Sequence, residues 1–140
     1  MRVVLDTSVM VAAVRSRTGA SRVWLNAVLL GQHTALVSVA LVLEYEAVLT
    51  RPSHLQSARA TEAQIIRLLD GLCSVAEQVP TTSLWRPVLK DPNDEMVLEA
   101  AAQGGADLLL TFNVRDFAGC ERFKVNAIAP GPAWHQHKGT

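Results

Sequence analysis

Carboxylates occur in this 140-residue chain at places where a fold can gather them. Asp6 ends the run Arg2-Val3-Val4-Leu5 and is followed by Thr7 and Ser8. Glu44 sits within the apolar stretch Ala40-Leu41-Val42-Leu43-Glu44-Tyr45-Glu46-Ala47-Val48-Leu49. Asp94 falls in Asp91-Pro92-Asn93-Asp94-Glu95, and Asn113 and Asp116 fall in Thr111-Phe112-Asn113-Val114-Arg115-Asp116-Phe117. Like charges brought together repel and raise one another's pKa values. A divalent cation removes that conflict, because hard ions such as Mg²⁺ take oxygen ligands and keep several waters. A carboxylate cluster around such an ion positions and activates water and stabilises phosphoryl oxygens. The chemistry this points to is phosphodiester hydrolysis by water. No side chain presents itself as a nucleophile, and there is neither a Gly-rich phosphate loop nor a Ser/His/Asp order.

Each acid also has an ordinary structural reading. Asp6 is a good helix cap. Glu44 and Glu46 lie on nearly opposite faces of one helix, and periodicity does not choose which turns inward. Asp94 falls on the apolar stripe of Val97, Leu98 and Ala101. With Asp91 as cap and Pro92 at the first helical position, it also suits the third, where acids favour the helix dipole. Glu95, Glu99 and Gln103 form a separate polar stripe, read as the wet face. Asn113 and Asp116 suit a turn closed by Asx hydrogen bonds. The set carries the metal reading; no single member does.

The elements that must hold these acids alternate between strand and helix. Residues 2–5 read as a buried strand, and a helix starts at Asp6-Thr7-Ser8 and continues over 9–14. Residues 21–30 read as a helix stopped by Gly31, residues 33–39 as a strand and residues 40–49 as a helix broken at Arg51-Pro52-Ser53. Thr61-Glu62-Ala63-Gln64 opens a capping-box helix reaching about Leu72. Residues 75–79 follow as a strand and 80–87 as a loop. A helix runs from Asp91-Pro92-Asn93 to Gln103, closed by Gly104-Gly105. The strands 107–110 and 124–128 come last. Short apolar strands between helices imply a parallel sheet covered on both faces. In such sheets the ligand site lies beyond the carboxyl ends of the strands, which is where Asp6 and the Thr111–Phe117 stretch fall. Residues 1–130 are expected to form one nuclease domain and 131–140 a flexible tail that includes His135-Gln136-His137.

The totals narrow the setting. Thirteen basic residues balance thirteen acidic ones, so nucleic-acid binding must use a local patch. Cys73 and Cys120 match no zinc or redox spacing and are expected to be reduced. An acid stands too early for a signal peptide and no apolar run is long enough to span a bilayer. The expectation is a cytoplasmic protein without a membrane partner.

The segments around Asp6, Glu44, Asp91–Glu95 and Gly105–Thr111, in this order and spacing over residues 1–117, resemble the PIN-domain family. The resemblance is greatest to its toxin–antitoxin branch, the VapC-type toxins. It implies a three-layer α/β/α sandwich with a central parallel sheet, acids binding Mg²⁺ or Mn²⁺, and cleavage of single-stranded RNA by metal-activated water. Carried over residue by residue, the catalytic and metal-binding acids are Asp6, Glu44 rather than Glu46, Asp94 and Asp116, with Thr7 or Ser8 as a hydroxyl neighbour and Asp91 as a cap. Many members have Asp where this chain has Asn113. Asp116 is the better candidate for that role, and Asn113 is a helper ligand through its carbonyl oxygen. The same resemblance implies a cognate antitoxin protein and a homodimer.

RNA needs cations on its phosphates. Arg15 and Arg17, with Arg22 nearby, follow the first helix and are candidates to flank the site; Arg115 lies inside the last motif. Two other readings compete. One is a catalytically weak PIN-like module that binds RNA or protein, motivated by Asn113. The other is a phosphatase or receiver domain with Asp6 as phosphoryl acceptor, which lacks a suitable lysine near the last strand motif.

Overall fold

The structure is a computed structural model that describes residues 1–82 and 85–137. Five strands form one sheet in the order β3-β2-β1-β4-β5: β1 (Arg2–Leu5), β2 (Thr34–Val37), β3 (Glu77–Gln78), β4 (Leu108–Leu110) and β5 (Asn126–Ile128). Every pairing is parallel, with Val3 opposite Ala35 on one side and Leu5 opposite Leu110 on the other. Among the described residues seven helices flank the sheet: α1 (Thr7–Arg15), α2 (Ala20–Leu29), α3 (Val39–Leu49), α4 (Pro52–Ala58), α5 (Glu62–Val75), α6 (Pro92–Gly104) and α7 (Pro130–His137). This is the expected α/β/α sandwich. The central strands are largely apolar because helices cover them, whereas the edge strand β3 is the exposed Glu77–Gln78; Val3, Val4, Leu36, Leu109 and Leu110 have no exposed surface.

Chain order runs outward from β1 to β2 and β3, then returns to β4 and β5 on the other side. The sheet therefore switches direction between β1 and β4, and the carboxyl ends of these two strands open a crevice there. Asp6 and Thr111 are the first residues past those ends.

Local chemistry explains most boundaries. The Ser38 hydroxyl accepts from the Leu41 amide at 3.1 Å, so α3 begins at Val39 and β2 ends at Val37, before the expected residue 39. Thr61 and Gln64 close a capping box on α5, with bonds of 2.9 and 3.2 Å. Pro92 starts α6, and Gly105 ends it at φ 65. A Cβ on Gly104 would stand 2.7 Å from a Val79 methyl and 2.9 Å from a Leu36 methyl, so only glycine lets α6 close against the sheet edge there.

Three expectations are corrected. Pro52 does more than end α3; it opens α4, where its missing N–H costs nothing at the first helical position. The strand expected over 75–79 is only Glu77–Gln78, because α5 runs on to Val75. The expected loop 80–87 contains Ser83 and Leu84, which lie outside the described residues.

The third concerns the segment read as a tail, which is helical over Pro130–His137. Trp24 donates its indole N–H to the Pro130 carbonyl at 3.0 Å, and the Trp24 and Trp134 rings meet edge to face at 5.2 Å. Ala133 has no exposed surface. Two prolines, a glycine and two histidines hide this contact in the sequence, since its energy comes from α2 and not from local propensity. Residues 138–140 lie outside the described residues. Trp134→Ala should lower stability by about 2 kcal/mol, less than for a fully buried Trp because Trp134 is half-buried. The urea midpoint should fall at unchanged slope. A midpoint equal to that of the parent protein would mean that α7 contributes nothing.

Candidate active site

Asp6 is nearly buried, at 6% exposure. Its carboxylate accepts three hydrogen bonds: from the Thr7 amide at 2.8 Å, the Ser8 hydroxyl at 2.9 Å and the Thr111 hydroxyl at 2.7 Å. Its own amide donates to the Leu110 carbonyl at 2.9 Å, which fixes the end of β1 to the end of β4. A capping carboxylate usually takes the second or third amide of a helix. Here it takes the first and turns its other oxygen to two hydroxyls across the crevice.

Thr111 is wholly buried and works as a relay. Its hydroxyl donates to Asp6 and accepts from the Asn113 amide at 2.9 Å. The hydroxyl of Tyr45, on α3, donates to the Leu5 carbonyl just before Asp6. Burial first, and the Asp6 charge second, push the Tyr45 phenol far up, so it stays a donor at any working pH.

Asp94 lies in the first turn of α6 and is half-buried. Its pKa is raised to about 6, first by burial and then by the charges of Asp91, Asp6 and Asp116. The charges of the sequence candidates Asp6 and Asp116 thus both reach Asp94. Asp116 is exposed in the 3-10 turn Val114–Phe117 and shares a pocket of 410 Å³ with Asp91, Asp94, Lys90 and Arg115. Asp91 itself caps α6 through the Asn93 amide at 2.8 Å, as expected.

The other candidates stand apart to different degrees. Glu44 is half-buried and is not among the charges that raise Asp94; Glu46 is exposed. Asn113 lines the neighbouring open cleft with Phe112 and Arg115, and its backbone amide supports Thr111. Thr7 and Ser8 are half-buried and hold Asp6. Arg15 and Arg17 do not flank the acids. Asp6 caps one end of α1 and Arg15 sits in its last turn, about 13 Å away at 1.5 Å per residue. Arg22 donates its Nε to the Ala13 carbonyl at 2.8 Å at that far end.

Three contributors were not singled out from the sequence. Thr111 is one, and a threonine ending a run of three leucines was its signal. Lys90 is another; it stands two residues before Pro92, outside the elements and motifs that the sequence marks. The third corrects a reading. Glu95 is not on the wet face: it is buried, at 8% exposure. Its carboxylate accepts from the Trp85 indole at 2.7 Å and from the Val88 and Leu89 amides at 2.9 and 2.6 Å. Those amides belong to a segment without sheet or helix partners, and buried amides must be satisfied somewhere. Glu95 thereby holds the strap that carries Lys90 to the acid pocket.

The donor set fits a hard divalent ion. It is all oxygen, with no cysteine or histidine at the pocket. Among the described residues no three acidic, histidine or cysteine side chains converge tightly enough to enclose an ion by themselves. An ion here would be held by one or two carboxylates and would keep waters between itself and the rest, as Mg²⁺ commonly does. An apolar pocket of 590 Å³ beside Val39, Leu43 and Val79 has no titratable side chain in its lining and offers no chemistry.

A family model described as a PIN domain matches residues 2–115. No curated protein matches the sequence. Among solved structures, VapBC2 from Rickettsia felis, bound to a promoter DNA fragment, is similar at a TM-score of 0.61 and 16% identity, covering 92% of this chain and 98% of that one. VapBC-1 from nontypeable Haemophilus influenzae is similar at 0.56 and 17%, covering 94% and 99%. At these identities the likeness is one of fold.

Proposed function

The chain belongs to the PIN-domain family, and from that premise we propose that it is a Mg²⁺- or Mn²⁺-dependent endoribonuclease that hydrolyses single-stranded RNA, the toxin of a toxin–antitoxin pair. One observation carries the reading. Asp6 ends β1 at the crevice where the sheet switches direction, Asp94 and Asp116 line one pocket, and burial, then the charges of Asp91, Asp6 and Asp116, lift Asp94 to about 6. Among the described residues, no ion pair joins Asp6, Asp94 or Asp116 to a basic side chain. A fold keeps such a cluster at a cost in stability, and perturbed acids in a cleft mark functional sites.

Each residue then has a task. Asp6 is preorganised by Thr7, Ser8 and Thr111, so it can hold a ligand without rearranging. Asp94 and Asp116, which line one pocket, would be the other carboxylate ligands, and Glu44 and Asn113 would complete the set as outer ligands. When bound, a divalent cation supplies Lewis-acid stabilisation of phosphoryl oxygens and a more acidic attacking water. Lys90 and Arg115 line the same pocket and give positive charge to the phosphates of the strand. Both solved neighbours carry the VapBC designation, and together with the VapC-like motifs this supports an antitoxin protein as partner. The homodimer, the cytoplasmic location and the nuclease-domain extent of 1–130 rest on the sequence. No helix among the described residues is long and apolar enough to cross a membrane.

A metal titration tests the reading. Mn²⁺ should raise the melting temperature of the protein, and Asp94→Asn should remove most of that shift. The metal-free variant should behave in the opposite way. Asp94 binds its proton more tightly folded than unfolded, so its ionisation lowers stability as pH rises from the usual Asp range through about 6. Asp94→Asn should therefore melt higher than the parent at pH 7.5, and the gain should shrink as pH falls and vanish only below the usual Asp range. No Mn²⁺ shift in the parent would favour the RNA- or protein-binding module, with Asn113 as the reason.

A further inference from the structure

A second charged groove lies at the far end of α1. Val14, Arg17, Arg22, Arg59, Gln64 and Ile65 are among the residues that line its 400 Å³, and no acidic side chain does. Arg17 and Arg59 are exposed, and Arg22 is tethered through its Nε to the Ala13 carbonyl. Three guanidinium groups around one groove repel each other unless an anion joins them.

Arg59 gives the independent sign. It closes α4 in the left-handed region, at φ 53 and ψ 43. The Ala60 amide bonds to the Leu55 carbonyl at 3.1 Å and the Arg59 amide to the Gln56 carbonyl at 3.2 Å. This Schellman-type closure is usually given to glycine, which adopts it without steric penalty. Here the position holds a basic side chain instead, aimed into a groove that already has two. A residue kept against its backbone preference points to a function for its side chain.

We infer that the Arg17–Arg22–Arg59 groove is a second phosphate-binding subsite that grips the backbone of the RNA strand cut at the Asp6 crevice. The inference rests on the ribonuclease reading above. The separation fits a continuous strand: the length of α1, about 13 Å, is within the reach of a few nucleotides of single strand. The subsite reads charge and spacing, not bases, and it explains how a chain with no net charge can hold a polyanion.

The test is binding of a fluorescent single-stranded oligoribonucleotide to the full chain across a salt series, with chelator present to prevent cutting. Arg59→Gly should melt at the same temperature as the parent or higher, yet bind about fivefold more weakly at 0.1 M salt, with a salt slope shallower by about 0.7, the value of one phosphate contact on a single strand. Arg59→Lys should recover most of the affinity. A strand of two nucleotides, too short to reach the groove, should bind both proteins alike. Equal affinity and slope for parent and Arg59→Gly, with metal-dependent RNA cleavage present, would overturn the subsite and leave the nuclease standing. A parent that neither binds nor cuts RNA would overturn both. An oligoglutamate peptide that competes as well as RNA, with the same dependence on Arg59, would overturn the RNA assignment in favour of an acidic protein partner.

Discussion

Asp6→Asn is expected to reduce metal-dependent RNA cleavage by about a thousandfold or more, several kcal/mol of transition-state stabilisation, while leaving the fold in place. The size follows from what the carboxylate does. It is the most deeply set acid of the site, and its charge is felt at both Asp94 and Tyr45. The fold survives because the replacement keeps shape and most hydrogen bonds. The amide oxygen still accepts from Thr7, and the Ser8 and Thr111 hydroxyls can rotate to accept from the new amide nitrogen. Single-turnover cleavage beside a thermal melt measures both halves. A variant that cuts at the parent rate removes Asp6 from the chemistry. One that fails to fold shows that the crevice is a structural joint first.

Glu95→Ala is expected to have the largest effect on stability, a loss of about 3 kcal/mol in chemical denaturation. Three donors lose their acceptor at once: the Trp85 indole and the Val88 and Leu89 amides. Leaving one buried donor unpaired costs about 1–3 kcal/mol, and bonds to a carboxylate are at the strong end. The total stays below the simple sum because water reaches a loosened strap. Glu95→Gln keeps one acceptor oxygen and should lose about half as much. RNA affinity should also fall in both, since the strap carries Lys90 to the pocket. A loss below about 0.5 kcal/mol for Glu95→Ala, the usual scale for surface substitutions, would return Glu95 to the wet face.

The parts of the molecule legible in the sequence are those where local and global preferences agree. The run Val3–Leu5 is apolar on every residue because the strand is covered on both faces, and the sandwich follows from repeating that pattern with helices between. Thr61 and Gln64 announce α5 because a capping box is a local device. Asp6 and the Thr111–Phe117 stretch could be placed because the carboxyl ends of parallel strands are where such sheets bind ligands. Other features depend on contacts between distant residues. Glu95 reads as solvent-facing on a helical wheel, and only a strap ten residues earlier in the chain buries it. Pro130–His137 reads as a tail because its helix is held by Trp24, more than a hundred residues away. Arg15 and Arg17 are near Asp6 in sequence, but a straight helix carries them off. The PIN resemblance ranks Glu44 above Glu46, and Glu44 is the more buried of the two.

The central claim is metal-dependent hydrolysis of RNA at the Asp6–Asp94–Asp116 crevice. The most direct measurement incubates the purified protein, free of any antitoxin, with a mixed pool of single-stranded RNA and Mg²⁺ or Mn²⁺, with chelator in a parallel reaction. The account predicts endonucleolytic products that appear only with metal and are absent with Asp6→Asn. Intact RNA under both ions, with the protein folded, would contradict it.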